Sequence, residues 1–339
     1  MANNTITLQS IANFLSTHAD LLPLTGVGGY VNEPFLSLAN DAISDLLSSP
    51  NDWKFNRKDM PMLVTCPQKQ DYIFAGAVAF SLGSTSQGWA IGLASNSAIT
   101  VTAGVVTVTT LENHRFAVGD TVYLNNVTMT TGTSSKYNST FTDTGSATSW
   151  SGGWVLTAIT SNTFSFAATS GQNNSDVGGA PGIADFGWLQ NGSMVQMTNT
   201  SSPQYSQNLY TFRELPVTSR VSNPERVTAF DNGDGTLTIR FYLVPGSTSW
   251  GAKLIYQKQA PIKIALTDNW SPFPDSMSAL YRQALVYRMQ RYLNSPTQNA
   301  EYQKLQQEIA KAQGSDDSEQ SSVYVTPEEP IMDSGWWGW

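Results

Sequence analysis

The sequence predicts an α+β protein. A helical bundle forms from the N- and C-terminal helices, with antiparallel β domains between them, one of them inserted. Three observations lead there. Amphipathic helical spacing opens the chain (residues 5–49) and returns near its end (275–312). The intervening sequence is rich in Thr, Ser, Gly and Asn and reads as short strands separated by turn residues. Charged residues make up only 13% of the 339 while apolar ones reach 40%, so real cores lie beneath a neutral, hydrogen-bonding surface. The chain divides accordingly into a helical N-terminal part (1–95), an inserted β module (96–180), a β domain (181–270), C-terminal helices packing on the N-terminal part (271–313) and a flexible acidic, Trp-rich tail (314–339).

In order along the chain, Thr7 is placed to cap a helix whose apolar side is Leu8, Ile11, Ala12 and Leu15. Gly26 to Gly29 interrupt it. Asn32, Glu33 and Pro34 start a second helix carrying Phe35, Leu38, Ala39, Ala42, Ile43 and Leu46, and Ser48-Ser49-Pro50-Asn51 stops it. Trp53 and Phe55 alternate with Lys54 and Asn56 and predict a strand, as does Met62-Leu63-Val64.

Residues 98–168 read as a self-contained β unit. It has a strand from Val105, a turn at Gly119-Asp120 feeding the alternating run to Leu124, and a hairpin of 154–159 with 163–166. The Gly/Asn/Ser stretch 171–182 reads as a linker, so replacing 98–178 by a short Gly/Ser link is expected to leave the rest folded. A second β region, 186–266, contains a hairpin around Asp231-Asn232-Gly233-Asp234-Gly235.

Pro272 and Pro274 mark the return to helix. There Tyr281, Leu285, Met289 and Tyr292 form a stripe with Arg288 beside it, and Leu280 begins a second one. Ala284 and Tyr287 make the helix apolar over more than one stripe, so part of it is expected to pack against a neighbouring subunit. Ser295-Pro296-Thr297-Gln298 has the form of a capping box opening a last helix with Tyr302, Leu305, Ile309 and Ala312. Beyond Gly314 the tail is low in apolar residues and expected to be disordered alone. It ends in Trp336, Trp337 and Trp339, with Tyr324 before them.

Charge and chemistry exclude several classes. Net charge is −8, and the stretch from Gln313 onward holds six acids and no Lys or Arg, so the body is nearly neutral. A neutral body argues against nucleic-acid binding through a basic patch. Asp143-Thr144-Gly145-Ser146 copies one aspartic-protease loop, but that chemistry needs two. Counted from Asp231, calcium-loop positions 3, 5 and 12 fall on Gly233, Gly235 and Tyr242, which points to a turn. The two histidines, His18 and His114, are not spaced as ligands or as part of a triad. Cys66 is alone and reads as a small buried apolar residue. No catalytic, metal or cofactor-binding residue is expected, so the chain reads as a structural protein rather than an enzyme. No stretch is apolar enough to span a membrane, and the N-terminus lacks a signal peptide's basic and apolar regions, so a cytoplasmic site of synthesis is expected. Trp336, Trp337, Trp339 and Tyr324 are expected to anchor on a neighbouring protein.

Two N-terminal helices precede Trp53-Lys54-Phe55-Asn56, Met62-Leu63-Val64 and a Gln70-Asp71-Tyr72 turn. After the β region come Leu254-Ile255-Tyr256-Gln257, Trp270-Ser271-Pro272-Phe273-Pro274 and the helix from Leu280 to Arg288. This order over 5–92 and 186–312 resembles the head–tail adaptor (connector) proteins of tailed bacteriophages, the group of tail tubular protein A. Phe116, Gly119, Asp120, Val122, Thr163 and Phe164 resemble a β module that recurs in phage virion proteins, here inserted. The resemblance implies a twelve-fold ring of this chain beneath the portal, lining the DNA exit channel at the head–tail junction of the virion. The next tail or nozzle protein and tail fibres would be further partners. DNA would pass without specific binding, and assembly would take place in the host cytoplasm. The Trp cluster would then dock on the portal or a neighbouring subunit. The alternative is a peripheral glycan- or receptor-binding virion protein using aromatics such as Trp150 and Trp154; a glycosidase would need a paired-carboxylate cleft that the scattered acids do not suggest.

Overall fold

A computed structural model describes residues 5–18, 30–82, 90–94, 98–129, 135–143, 148–167, 178–179, 183–197, 206–247 and 249–321. It is mixed α+β, mostly sheet, with four α-helices among the described residues. The chain divides into two compact units, residues 1–55 with 261–339, and residues 56–260.

The first unit holds α1 (Leu8–His18), α2 (Phe35–Leu47), α3 (Ser278–Tyr292) and α4 (Gln298–Ser321). Helix α1 starts where expected, with Thr7 Oγ1 accepting from the Ser10 amide at 3.3 Å. Its Leu8, Ile11, Ala12 and Leu15 are buried. At the start of α2 the side-chain acceptor is not Asn32 but Glu33, whose Oε2 takes the Ser37 amide at 3.2 Å. The predicted apolar face of α2 is buried throughout, and Ser48 leaves the helix in an extended conformation.

Trp53 and Phe55 do not lie on a strand. Lys54–Asn56 form a single 3-10 turn, because the fully buried Trp53 turns its Nε1 back to donate to Leu46 O at 2.7 Å, which an extended chain would carry away. Trp53, Phe55 and Phe273 then pack as an aromatic cluster with centroids 5.3–6.3 Å apart. Trp270 continues it onto α3 through Tyr281, at 4.3 Å.

Helix α3 packs between α2 and α4. Arg288 is ion-paired with Asp45 and, at 3.6 Å, with Asp41, both on α2. Gln283 donates to Glu301 Oε2 at 2.8 Å on α4. The expected capping box is replaced by a turn ahead of the helix: α4 begins only at Gln298, and Ser295 Oγ accepts from the Thr297 amide at 3.3 Å. Helix α4 also runs past Gly314, where the tail was expected to begin, and ends at Ser321. One glycine costs about 1 kcal/mol of helix propensity, too little to stop a long helix.

The second unit is all β among its described residues, apart from the turn at its start. Its strands are β1 (Arg57–Asp59), β2 (Leu63–Val64), β3 (Asp71–Phe74), β4 (Val78–Ser81), β5 (Ile91–Gly92), β6 (Ile99–Thr102), β7 (Val105–Thr109), β8 (Thr121–Asn125), β9 (Thr128–Met129) and β10 (Thr140–Asp143). They continue with β11 (Thr148–Ser151), β12 (Trp154–Val155), β13 (Ala158–Ile159), β14 (Thr163–Ala167), β15 (Gly178–Gly179), β16 (Phe186–Gln196), β17 (Ser206–Thr211), β18 (Arg226–Asp231), β19 (Leu237–Tyr242) and β20 (Trp250–Lys258). The largest sheet runs β1-β20-β16-β17-β18-β19-β3, with β2 also on β20. Two others run β12-β8-β4-β5 and β13-β14-β7-β6-β15-β9, and β10 pairs with β11. Only the β17–β18 pairing is parallel among the described strands.

The turn that feeds β8 has a local cause. Gly119 sits at φ +91°, which a side chain rarely adopts, and Asp120 Oδ2 accepts from the Ala117 amide at 2.8 Å. Phe116 and Val122 on either side are buried in the same core. The stretch 154–166 is not one hairpin. Trp154 and Val155 pair with β8, and only Ala158 and Ile159 pair with β14. Buried Leu156 makes the switch, its backbone bonded to Asp120 O and Gly119 N at 2.9 Å each.

The β unit of 98–168 draws on residues before it. Strand β4 hydrogen-bonds directly to β8, and Ala77, Ala79, Ile91 and Leu93 share a core with Val106, Val108, Phe164 and Phe166. Gly92 lets β5 lie close against β3, since a Cβ there would stand 2.6 Å from Ile73 O and from Phe74 Cα.

Two outcomes follow for stability. Asp120→Ala, which leaves the Ala117 amide without its acceptor in the turn, is expected to lower unfolding free energy by about 1–3 kcal/mol in urea titrations. Replacing 98–178 by a Gly/Ser link removes β8 from β4 and uncovers Ala77, Ala79 and Ile91. The expected product is insoluble, which reverses the outcome anticipated from sequence; a soluble, cooperatively melting deletion protein would contradict it.

Candidate functional site

The α3 residues expected to meet a neighbouring subunit separate into two groups. Leu280, Tyr281, Leu285 and Met289 are buried within the chain's own first unit. Arg288 is held by Asp41 and Asp45. Tyr292 is the member turned outward, 62% exposed. Tyr324, Trp336, Trp337 and Trp339 lie outside the described residues.

The 231–235 run and His114 form local structure. Asp231 Oδ1 accepts from Gly233 N and Asp234 Oδ1 from Thr236 N, at 2.8 and 2.9 Å, closing the β18–β19 turn with Gly233 and Gly235 at φ +78° and +83°. Thr236, through its hydroxyl first and its amide second, holds the Asp234 carboxyl below its ordinary range. His114 is buried, with Nδ1 accepting from Phe116 N and Nε2 against Thr163 O, both at 3.0 Å; that pattern needs the tautomer protonated at Nε2. Asp143 opens a segment whose next four residues are outside the described ones. Among the described residues no group of three or more His, Cys, Asp or Glu could hold a metal ion, and no helix is long and apolar enough to cross a membrane.

Trp150 and Trp154, the aromatics considered for sugar stacking, are packed against their own chain. Trp150 lies edge-on to Phe80 at 4.8 Å, and Trp154 stacks on Phe166 at 4.8 Å while its Nε1 donates to Tyr137 O at 2.8 Å.

The surface that sequence reasoning missed is the irregular segment between β17 and β18. Gln70 holds it like a strand partner, donating to Pro216 O at 3.0 Å and accepting from Thr218 N at 3.1 Å. Arg240 reinforces this. It grips Asp71 with two bonds of 2.8 Å and donates to Leu215 O at 3.2 Å. Between the two Gln70 bonds, Val217 is turned to solvent and 75% exposed; Val221 is 55% exposed. Arg226 lies over the Phe212 and Tyr242 rings at 5.0 and 5.6 Å. The only sequence signal was Val217, Arg220 and Val221 in a Pro-punctuated run without strand or helix period.

Val217 and Val221 border a cleft of about 1150 Å³. Its other walls include Cys66, Lys69, Glu112 and Arg115. Lys69 pairs with Glu112 at 3.1 Å. Burial pushes the Lys69 ammonium down, with Glu112 opposing, and pushes the Cys66 thiol up, which disfavours the nucleophilic thiolate. A second hollow of about 670 Å³ is lined by Met60, Met62, Leu209 and Leu254 together with Asp59, Asn191, Asn208 and Lys253. Both suit polypeptide side chains: the first joins fixed charges to exposed valines, the second is mainly apolar.

No curated protein and no solved structure matches the chain. Residues 139–327, more than half of its length, match the family described as SU10 adaptor protein. The matched span runs from β10 through β20 to α3 and α4 and includes the Gln70-clamped segment. The chain therefore belongs to the SU10 adaptor protein family and is a phage adaptor-type structural protein.

Proposed function

We propose that this chain is a head–tail adaptor that assembles as a ring between the portal and the tail and lines the DNA exit channel. The family match over 139–327 carries the reading. The charge distribution supports it. Six of the eight excess negative charges sit from Gln313 onward, so a ring of the nearly neutral body would hold few phosphates and let DNA slide. Low charge also leaves little repulsion between copies. A twelve-fold ring is the stoichiometry that the likeness to the tail tubular protein A group implies, with the next tail or nozzle protein below it.

In this reading α1 to α4 form the bundle, and exposed Tyr292 is the part of α3 offered to a neighbouring subunit. Tyr324, Trp336, Trp337 and Trp339 act as anchors on the portal or a neighbouring subunit. Indoles at the end of a tether offset the cost of ordering it by burying about 150–250 Å² each.

Cryo-electron microscopy of the particles tests the position: density for this chain is expected as a ring between portal and tail. Density confined to a distal tail tip would overturn the proposal. Deleting 335–339 is expected to leave the melting temperature of the free protein unchanged and to weaken assembly onto the portal by about 2–4 kcal/mol, as loss of hot-spot aromatics does. Equal assembly by the truncated chain would remove the tryptophans from the interface.

A further inference from the structure

The cleft beside Val217 has an occupant of matching chemistry in the chain's own sequence. Two exposed valines, Val217 and Val221, stand on a segment held rigidly by Gln70 and Arg240, so docking there costs little ordering on the receiving side. The carboxylates at the cleft are already engaged: Glu112 by Lys69, and Asp71 by Arg240. Within the lining, Lys69 and Arg115 balance Glu112 and Asp71 in number, and Arg240, outside the lining, neutralises Asp71. Arg220 is exposed and sits between Ser219 and Val221, both of which line the cleft.

The complement lies beyond α4. From Ser322 to Trp339 the sequence holds Glu328, Glu329 and Asp333, no Lys or Arg, and Trp336, Trp337 and Trp339. Eighteen residues extend up to about 60 Å. We infer that residues 322–339 of one copy occupy the Val217 cleft of a second copy, with indoles against Val217 and Val221 and carboxylates facing Arg220. Such a contact joins two different surfaces, so it repeats head to tail, the form of contact from which a closed ring is built when the rotation between copies closes. It rests on the proposed ring assembly for the presence of the neighbour and adds where the tail is received.

The test uses the full chain with a photo-cross-linking amino acid, p-benzoylphenylalanine, at Trp337. It is run on the purified protein and on portal-bound assemblies, with light and heavy isotope-labelled copies mixed. Adducts between copies are expected to map to 66–70, 112–115 and 215–221. Their yield is expected to fall at least about tenfold in Val217→Asp/Arg220→Glu, as loss of a central contact does, and to fall as salt is raised. Both positions are exposed, so an unchanged melting temperature shows that the variant is folded. Adducts confined to a single chain, adducts mapping elsewhere, or a yield indifferent to the double variant would overturn the inference. Rings that still form on the portal without cleft adducts would leave the adaptor reading standing and remove only this contact. Cleft adducts without any portal assembly would do the reverse.

Discussion

Strand β4 is buried on both faces, with Val78 and Phe80 in the core of the large sheet and Ala79, with Ala77 just before the strand, in the core of the smaller β sheets. Alternation along a strand makes this possible only if both sides carry apolar residues of the right size: small ones where β6, β7 and β14 crowd in, a large one where Tyr123 and Trp150 close over Phe80. The pairing of β4 with β8 then fixes the register of the turn at Gly119-Asp120 and of β12 beyond it. A change at Phe80 or Ala79 is felt in both cores. That is why the β unit of 98–168 is physically continuous with the strands that precede it.

With only 13% charged residues, the chain fixes its irregular segments mainly by single polar side chains. Asn40 pairs with both Lys263 N and Lys263 O, at 2.8 and 3.0 Å, as a strand would. Gln70 does the same across Val217. Asp275 takes the amide and hydroxyl of Thr5, at 3.0 and 2.7 Å, which hold its carboxyl below the ordinary range and tie the start of the chain to the start of α3. The part-buried Asn40 bonds contribute on the order of 1 kcal/mol each. Their larger effect is geometric, since they hold backbone extended without a second strand and leave its side chains facing outward.

That geometry matters for an adaptor. A neutral surface gives copies of the chain little reason to repel one another and also little specificity. Specificity must then come from a few fixed apolar residues with charge placed around them. The valines beside the Lys69–Glu112 pair have that form, and the acidic, Trp-ended tail carries the charge opposite to that of Arg220 beside them.

The helices α1, α2 and α3 and the turn at 231–235 were legible in the residues, because their signals are local: apolar spacing near 3.6, a capping side chain, and glycines where φ is positive. Membership of a phage adaptor group was also legible, from short motifs in a fixed order. What the sequence could not express was partnership at a distance. Alternation at Trp53 and Phe55 suggests a strand, but the indole bonds Leu46 and the backbone turns. The run from Trp154 to Ile159 looks continuous, but Leu156 hands it from β8 to β14. The stripe on α3 could have faced any apolar surface, and the aromatic cluster around Trp270 and α2 took most of it, leaving Tyr292. Nothing in the spacing of Val217 and Val221 marks them as exposed; that was decided by Gln70, almost 150 residues earlier, whose amide competes for the backbone on either side of Val217. Local periodicity determines which element forms, whereas the identity of the surface that covers it is a property of the packed chain.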